Sequence, residues 1–162
     1  MRASIQVGKI IGIPIRLHIS FLFILPVFVV MFAEASEPVG LGDIENLSQQ
    51  YRYIFSALAT ILFFFSVLLH EMSHSYVAMR YGAKIHSITL FIFGGLAMME
   101  DIPKEPGKEW RIAIAGPAMS FALGVAFLIS YFGLKSLDLP IYYSPLKLGK
   151  SYQRITLFGI NF

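Results

Sequence analysis

The sequence has 162 residues, of which 56% are hydrophobic and 14% are charged, and its formal net charge is +3. Soluble domains carry about a quarter charged residues, so this composition excludes an ordinary water-facing surface and favours one membrane-embedded domain. The absence of cysteine excludes disulfides and cysteine-ligated zinc. The basic residues are scattered, which argues against nucleic acid as a partner.

Apolar runs long enough to cross a bilayer dominate the chain. Before the first run, Ser4–Ile11 alternates weakly between apolar and polar residues, which predicts a short strand at the membrane surface. A hydrocarbon core of roughly 30 Å needs about 20 apolar residues in a helix. We therefore expect membrane spans at about residues 17–33, 53–79 and 112–131, and a partial one from about residue 153.

The first apolar run has a second interpretation. A basic start precedes it, and a small-x-small triplet follows it at Ala33-Glu34-Ala35. These features also describe a cleaved signal peptide. In both interpretations the segment enters the membrane with its N-terminus on the cytoplasmic side.

The segment after the second apolar run has the composition of a β-hairpin. Lys84–Met99 is rich in β-branched and aromatic residues, and Gly94-Gly95 is a turn signal within it. Charged residues and two prolines predict a loop over Asp101–Arg111. The expected fold is therefore an all-α polytopic membrane protein with a small β-hairpin after the second helix.

The end of the second helix and a contact face on the third can both be predicted from single residues. Arg80 and Gly82 are expected to close the second helix. In the third, Gly116, Ser120 and Gly124 recur at a spacing of four, which places them on one face. Small residues on one face let another helix approach closely.

The distribution of basic residues predicts the orientation. Eight lie in the N-terminal segment and in residues 80–111, and five lie in the segments between the other helix ends. Basic residues accumulate on the cytoplasmic side of membrane proteins. We therefore expect a multi-pass protein of the cell membrane, with its N-terminus, the end of the second helix and the hairpin at the cytoplasmic face.

One motif carries chemistry, the H-E-x-x-H pattern His70-Glu71-Met72-Ser73-His74. Residues four apart lie one turn above each other, so both imidazoles can reach one metal ion. Glu71 lies about 100° around the helix from His70, where it can act as a general base towards water. Two imidazoles and an oxygen ligand suit zinc. The alternative is a polar helix end with two solvated histidines; we favour zinc because His and Glu are costly within an apolar helix.

Five short stretches extend this motif into a longer pattern. They follow one another in chain order as Gly12 to His18, Leu69 to Ser75, Phe93 to Ala97, Ile102 to Glu105, and Ile114 to Pro117. Together they cover most of the chain. The sequence resembles the site-2 protease family of intramembrane zinc metalloproteases, in its archaeal and bacterial form.

The resemblance implies one zinc ion at His70 and His74, Glu71 as the general base, and regulated proteolysis of transmembrane protein substrates within the lipid bilayer. It also implies a third metal ligand, an Asp in an Asn-Pro…Asp-Gly motif on a later helix. No such motif lies before Phe162, and Asp138, in a connector, does not match it. We therefore expect residues 1–162 to form a single transmembrane metalloprotease domain that is incomplete at its C-terminus.

The hairpin is the expected substrate-binding element. Cleavage requires a helical substrate segment to be locally extended, and an exposed strand edge could hold it in that form. The candidate substrate-binding residues are Gly94, Gly95, Leu96, Ala97 and Met98. For Met98 and its neighbour Met99, core packing is an equal alternative to a place in a substrate groove.

Other polar or unusual residues are less suited to a metal site. His18, at the start of the first helix, is expected to be structural, and His86, on the proposed strand, to be solvated. Gly116-Pro117 is expected to serve helix packing and a kink rather than catalysis.

Three alternatives compete with intramembrane proteolysis. A membrane-anchored metalloprotease with an aqueous site would need a large soluble domain, for which this chain has no room. A metal-binding transporter commonly shows internal repeats, and the sequence contains none; an inactive scaffold is the remaining alternative. The intramembrane zinc endopeptidase is therefore the leading hypothesis.

Overall fold

The computed structural model describes residues 4–36, 39–42 and 47–136. In chain order its elements are β1 (Ser4–Ile10), β2 (Ile13–His18), α1 (Ile19–Glu34), α2 (Gln49–Arg80), β3 (Lys84–Phe91), β4 (Gly94–Glu100) and α3 (Pro106–Ser136). The partial span predicted from about residue 153 and the connector that holds Asp138 lie outside the described residues.

Among the described residues, two helices are long and apolar enough to cross a membrane. They are α2, with 32 residues, and the Pro106–Gly133 part of α3, with 28 residues. Only 22% and 6% of their most apolar windows are buried inside the protein, which distinguishes them from the core helices of a soluble fold. The spans predicted at 53–79 and 112–131 lie within these two helices. By contrast, the predicted span at 17–33 corresponds to α1, whose 16 residues reach only about 24 Å.

A four-stranded sheet, larger than the predicted hairpin, accompanies the helices. Its strand order is β1-β2-β3-β4; β2 and β3 are parallel, and the two outer pairs are antiparallel. The predicted strand near Ser4 and the predicted hairpin are both present. The all-α description is nevertheless too narrow, because β2 was not predicted. It pairs with β3 through contacts such as Ile15 with Ile88, which no local pattern reveals.

Residues with positive φ lie in the first hairpin turn and directly after the second. Ile11 and Gly12 connect β1 to β2 at φ values of 52° and 80°, as a type I′ turn requires. In the second hairpin, the turn residues are Ile92 and Phe93, two positions earlier than predicted. Gly94 begins strand β4 at a φ of 124°. Glycine adopts such a backbone conformation readily because it has no Cβ atom.

The ends of α2 and α3 follow ordinary capping rules. α2 stops at Arg80, as predicted, and Gly82 has a φ of 92°. Gly82 N–H donates to the Met79 carbonyl and Ala83 N–H to the Ala78 carbonyl, which is a Schellman stop. The predicted loop at 101–111 is shorter than expected, because α3 already begins at Pro106. Proline suits a first helical turn, where its missing N–H costs nothing.

The chain divides into two compact units. Among the described residues, one unit consists of those within Met1–Pro26 and Ile61–Gly124, and the other of those within Val27–Thr60 and Val125–Phe162. The first unit contains the whole sheet and its buried hydrophobic residues, which are Ile13, Ile15, Ile88 and Leu90. A second cluster in the same unit packs Ala78, Ala83 and Ile112 together with Met99. The H-E-x-x-H motif lies in this unit.

Candidate functional site

The two histidines of the motif face each other on α2. Their Nε2 atoms are 3.1 Å apart, and the ring centroids are separated by 4.8 Å. This is the arrangement that the spacing of four predicts. Two nitrogen ligands at about 2.0–2.1 Å from a tetrahedral metal would lie about 3.3 Å apart. The spacing of the His70 and His74 nitrogens therefore fits two corners of such a site.

The other ring nitrogen of each histidine has a partner on α3. His74 Nδ1 lies 2.6 Å from the Ile112 carbonyl oxygen. A carbonyl can only accept, so Nδ1 carries the proton and donates, and Nε2 of the neutral ring keeps its lone pair. His70 Nδ1 lies 2.9 Å from Ser120 Oγ. Hydrogen bonds from the distal ring nitrogen to a carbonyl or similar acceptor are typical of metal-binding histidines.

Gly116 keeps the space beside the two imidazoles free. It is buried, and a Cβ atom added to it would overlap Nε2 of both His70 and His74. These Nε2 atoms are the ring atoms that face each other. Any side chain at Gly116 would therefore fill the space next to them. The predicted close approach of a helix at this face is therefore present, and the partner is the helix that carries the H-E-x-x-H motif.

Glu71 is packed against the sheet. A Cβ atom added to Gly95 would overlap Glu71 Cγ and lie 3.3 Å from its Cδ. The backbone of β4 therefore contacts the Glu71 side chain directly. Gly95, which the sequence pattern places in a turn, instead provides a strand surface for this carboxylate side chain.

The candidate substrate-binding residues Gly94 to Met98 all lie on β4, at one edge of the sheet. β3 pairs with one side of β4, and no other described strand pairs with the second side. Leu96 and Met98 are 43% and 44% exposed. Met99 instead packs against the buried cluster around Ala78, so the structure separates an exposed Met98 from a partly buried Met99.

The remaining histidines lie apart from the pair. His18 Nδ1 accepts a hydrogen bond from Ser20 N–H at 3.2 Å and lies 2.8 Å from Ser20 Oγ. His86 is half exposed and lies 2.9 Å from a carboxylate oxygen of Glu100. Within residues 4–36, 39–42 and 47–136, no group of three His, Cys, Asp or Glu side chains could hold a metal.

Several neighbours of the motif could not be assigned their roles from the sequence. The spacing of Gly116 and Ser120 is visible in the sequence, but it predicts only that they are packing residues. No pattern of side chains identifies the carbonyl of Ile112 as a hydrogen-bond acceptor, although Ile112 lies four residues before Gly116 on the same helix face. Gly95 is predicted in a turn. All of these contacts join residues distant in sequence.

Comparisons with known proteins identify the family of the chain. The family model of peptidase family M50 matches residues 58–157. The zinc metalloprotease MJ0392 of Methanocaldococcus jannaschii is 44% identical over 146 residues, which are 89% of this chain and 38% of that protein. The putative zinc metalloprotease sll0528 of Synechocystis is 36% identical over 129 residues, covering 80% of this chain and 33% of its own length.

A solved structure is similar as well. The site-2 protease from Methanocaldococcus jannaschii superposes with a TM-score of 0.57 at 46% identity, covering 78% of this chain and 50% of that chain. The chain spans about a third of the length of the curated relatives it matches. The family match includes α3 and the part of α2 that holds the histidine pair. By these similarities the chain belongs to peptidase family M50, the site-2 protease family.

Proposed function

We propose that this protein is an intramembrane zinc endopeptidase that hydrolyses peptide bonds of transmembrane protein substrates. The observation that carries the proposal is the histidine pair with its Nε2 atoms 3.1 Å apart on an apolar helix. Membership of family M50 and the similarity to relatives named zinc metalloproteases support it. Regulated proteolysis within the bilayer is the corresponding cellular role.

His70 and His74 would hold one zinc ion through Nε2. The partners of their Nδ1 atoms favour the protonation state in which Nε2 is free to bind metal. When bound, zinc supplies Lewis acidity that acidifies water and polarises the scissile carbonyl. A third ligand would come from outside the described residues, and the family resemblance points to an Asp on a later helix.

Glu71 would act on protons beside the histidine pair. Its carboxylate takes a proton from the attacking water and later donates it to the nitrogen of the departing amine. Gly95 on β4 confines the Glu71 side chain from one side. A base that is held in place needs less reorganisation before proton transfer.

Substrate would bind along the free edge of β4. The contact between Gly95 and Glu71 supports this, because it places the edge strand beside the proposed base. A substrate segment that pairs with β4 would be extended, and its backbone would be accessible to water. Residues Gly94 to Met98 are the proposed binding strand.

The site would lie inside the bilayer, near its cytoplasmic face. Arg80 ends α2 six residues after His74, which is about 9 Å of helix. The distribution of basic residues favours a cytoplasmic N-terminus and a cytoplasmic end of α2. Multi-pass insertion in the cell membrane is part of this proposal.

The test separates the base from the ligands. Purified Glu71→Gln protein should keep its zinc but lose cleavage of a single-span membrane protein, because the amide cannot take a proton. His70→Ala and His74→Ala should lose both zinc and cleavage. Metal content by mass spectrometry and product formation in proteoliposomes are the measurements. Full cleavage by Glu71→Gln would refute the mechanism.

The proposed third ligand has its own test. Zinc sites normally use at least three protein ligands, so residues 1–162 alone should bind zinc more weakly than the same chain extended through a helix with an Asn-Pro…Asp-Gly motif. Replacing the Asp of that motif with Asn should return the affinity to that of the shorter chain. Equal affinities of all three proteins would show that the ligand lies elsewhere.

A further inference from the structure

We infer that Ser120 is a positioning residue that holds His70 in the orientation and tautomer that bind metal. This inference rests on the proposed function, because it takes His70 as a zinc ligand. It assigns a task to a residue that the sequence pattern explains equally well as a small packing residue.

The geometry places Ser120 at the distal nitrogen of His70. Its Oγ lies 2.9 Å from His70 Nδ1, at hydrogen-bond distance, while His70 Nε2 faces His74. A hydroxyl can donate or accept. When Nε2 is the metal-binding atom of a neutral ring, Nδ1 carries the proton, so Ser120 Oγ is the acceptor.

The arrangement on α3 repeats for the second histidine. Ile112 and Ser120 lie four residues before and four residues after Gly116, on one face of the helix. Each provides an oxygen to the Nδ1 atom of one histidine, and Gly116 lies between them against both Nε2 atoms. The two acceptors differ in how they can be tested. The Ile112 acceptor is a backbone carbonyl, which no substitution removes, whereas the hydroxyl of Ser120 can be removed by substitution.

The environment increases the cost of losing this acceptor. His70 lies ten residues before the end of α2, about 15 Å of helix from Arg80. Water is scarce at that depth, and an unpaired N–H in an apolar medium is costly. Without Ser120, the neutral ring gains nothing from keeping its proton on Nδ1. It is then free to rotate or to shift the proton to Nε2, which removes the metal-binding lone pair.

The experiment measures zinc affinity rather than activity. Zinc binding to the purified full chain is titrated in competition with a chromogenic chelator, for the parent protein and for Ser120→Ala. We expect affinity to fall by about 10- to 100-fold, the usual effect of removing a partner of a metal-binding histidine. Ser120→Thr keeps the hydroxyl and should recover most of the affinity. The visible spectrum of the cobalt-substituted protein should change in the Ala variant and not in the Thr variant.

A matched control comes from the same helix. Ser130 Oγ donates to the Ala126 carbonyl and is exposed, so Ser130→Ala should bind zinc like the parent. Where Ser120→Ala fails to fold by circular dichroism, Ser120→Val serves instead, because valine has nearly the shape of the threonine variant but lacks its hydroxyl. It should show a similar loss of affinity.

Two results have distinct meanings. Unchanged affinity in Ser120→Ala, with zinc lost in His70→Ala, would overturn the positioning role and leave the proposed function intact. Unchanged affinity in His70→Ala would overturn the proposed function itself, and this inference with it.

Discussion

The two ends of the small-residue row on α3 differ in what surrounds them. Gly116 is buried, and any side chain there would overlap both imidazoles of the motif. Gly124 is exposed, and a Cβ atom added to it would have no neighbour within 4 Å. The spacing of four is the same, so the sequence treats the two glycines alike. A small residue therefore has a functional meaning only where polar atoms of another element approach it.

The strands show the same contrast. Gly95 on β4 lies against Glu71, whereas a Cβ atom added to Gly8 on β1 would have no neighbour within 4 Å, and neither glycine has a positive φ. The two outer strands of one sheet thus differ in their surroundings at these glycines: the backbone of β4 lies against Glu71 at Gly95, and that of β1 is open at Gly8. In each pair, one glycine contacts the site and the other does not. Substituting both therefore separates effects on the site from general effects on the helix or the strand.

The largest effect is expected at Gly116. Gly116→Ala places a methyl group on Nε2 of both histidines, so the rings must move apart or α3 must shift. Zinc affinity should fall by more than about 100-fold, beyond the loss typical of a single outer partner, and cleavage should be lost. Zinc titration is the measurement. Binding at parental affinity would show that the rings can rearrange freely, and the contrast with Gly124 would have no functional basis.

Gly95→Ala should affect the chemistry and spare the metal. A methyl group there displaces the Glu71 side chain, and a shift of about 1 Å in a reacting group can cost about 100-fold in rate. We expect kcat to fall by about 10- to 100-fold, with zinc affinity close to that of the parent. Gly8→Ala is the matched control and should leave kcat unchanged. A comparable fall in both variants would indicate a general effect on the sheet.

Proline on β4 tests the free edge. Successive backbone N–H groups of a strand point alternately towards its neighbour and away from it, so only one of Ala97→Pro and Met98→Pro removes an N–H from the free edge. That variant should raise KM by about 3- to 10-fold, the value of one hydrogen bond of about 0.5–1.5 kcal/mol. Zinc binding should be retained. Unchanged kinetics in both variants would argue against strand pairing with substrate.

The smallest effect is expected at Gly124. Alanine is the better helix former, by roughly 0.5–1 kcal/mol in a helix interior. Gly124→Ala should therefore raise the free energy of unfolding in mixed micelles slightly and leave zinc affinity unchanged. A clear loss of zinc affinity would mean that an element outside the described residues packs on this part of α3.

Much of the local structure could be predicted from short-range patterns. The two long apolar helices, the helix stop at Arg80 and Gly82 and the hairpin that begins at Lys84 depend on residues within a few positions of each other. The same holds for the two histidines, because a spacing of four on a helix places one ring above the other. The sequence by itself thus determined the family and the facing pair of His70 and His74.

Only the tertiary structure decided how the remaining parts meet. The pairing of β2 with β3, the contact of Gly95 with Glu71 and the hydrogen bonds from α3 to the histidines join segments far apart in the chain. Two of these contacts involve backbone atoms, a carbonyl at Ile112 and the bare backbone of Gly95, which every sequence contains. Their positions depend on how the helices and strands pack, and that packing cannot be predicted from the pattern of side chains in the sequence.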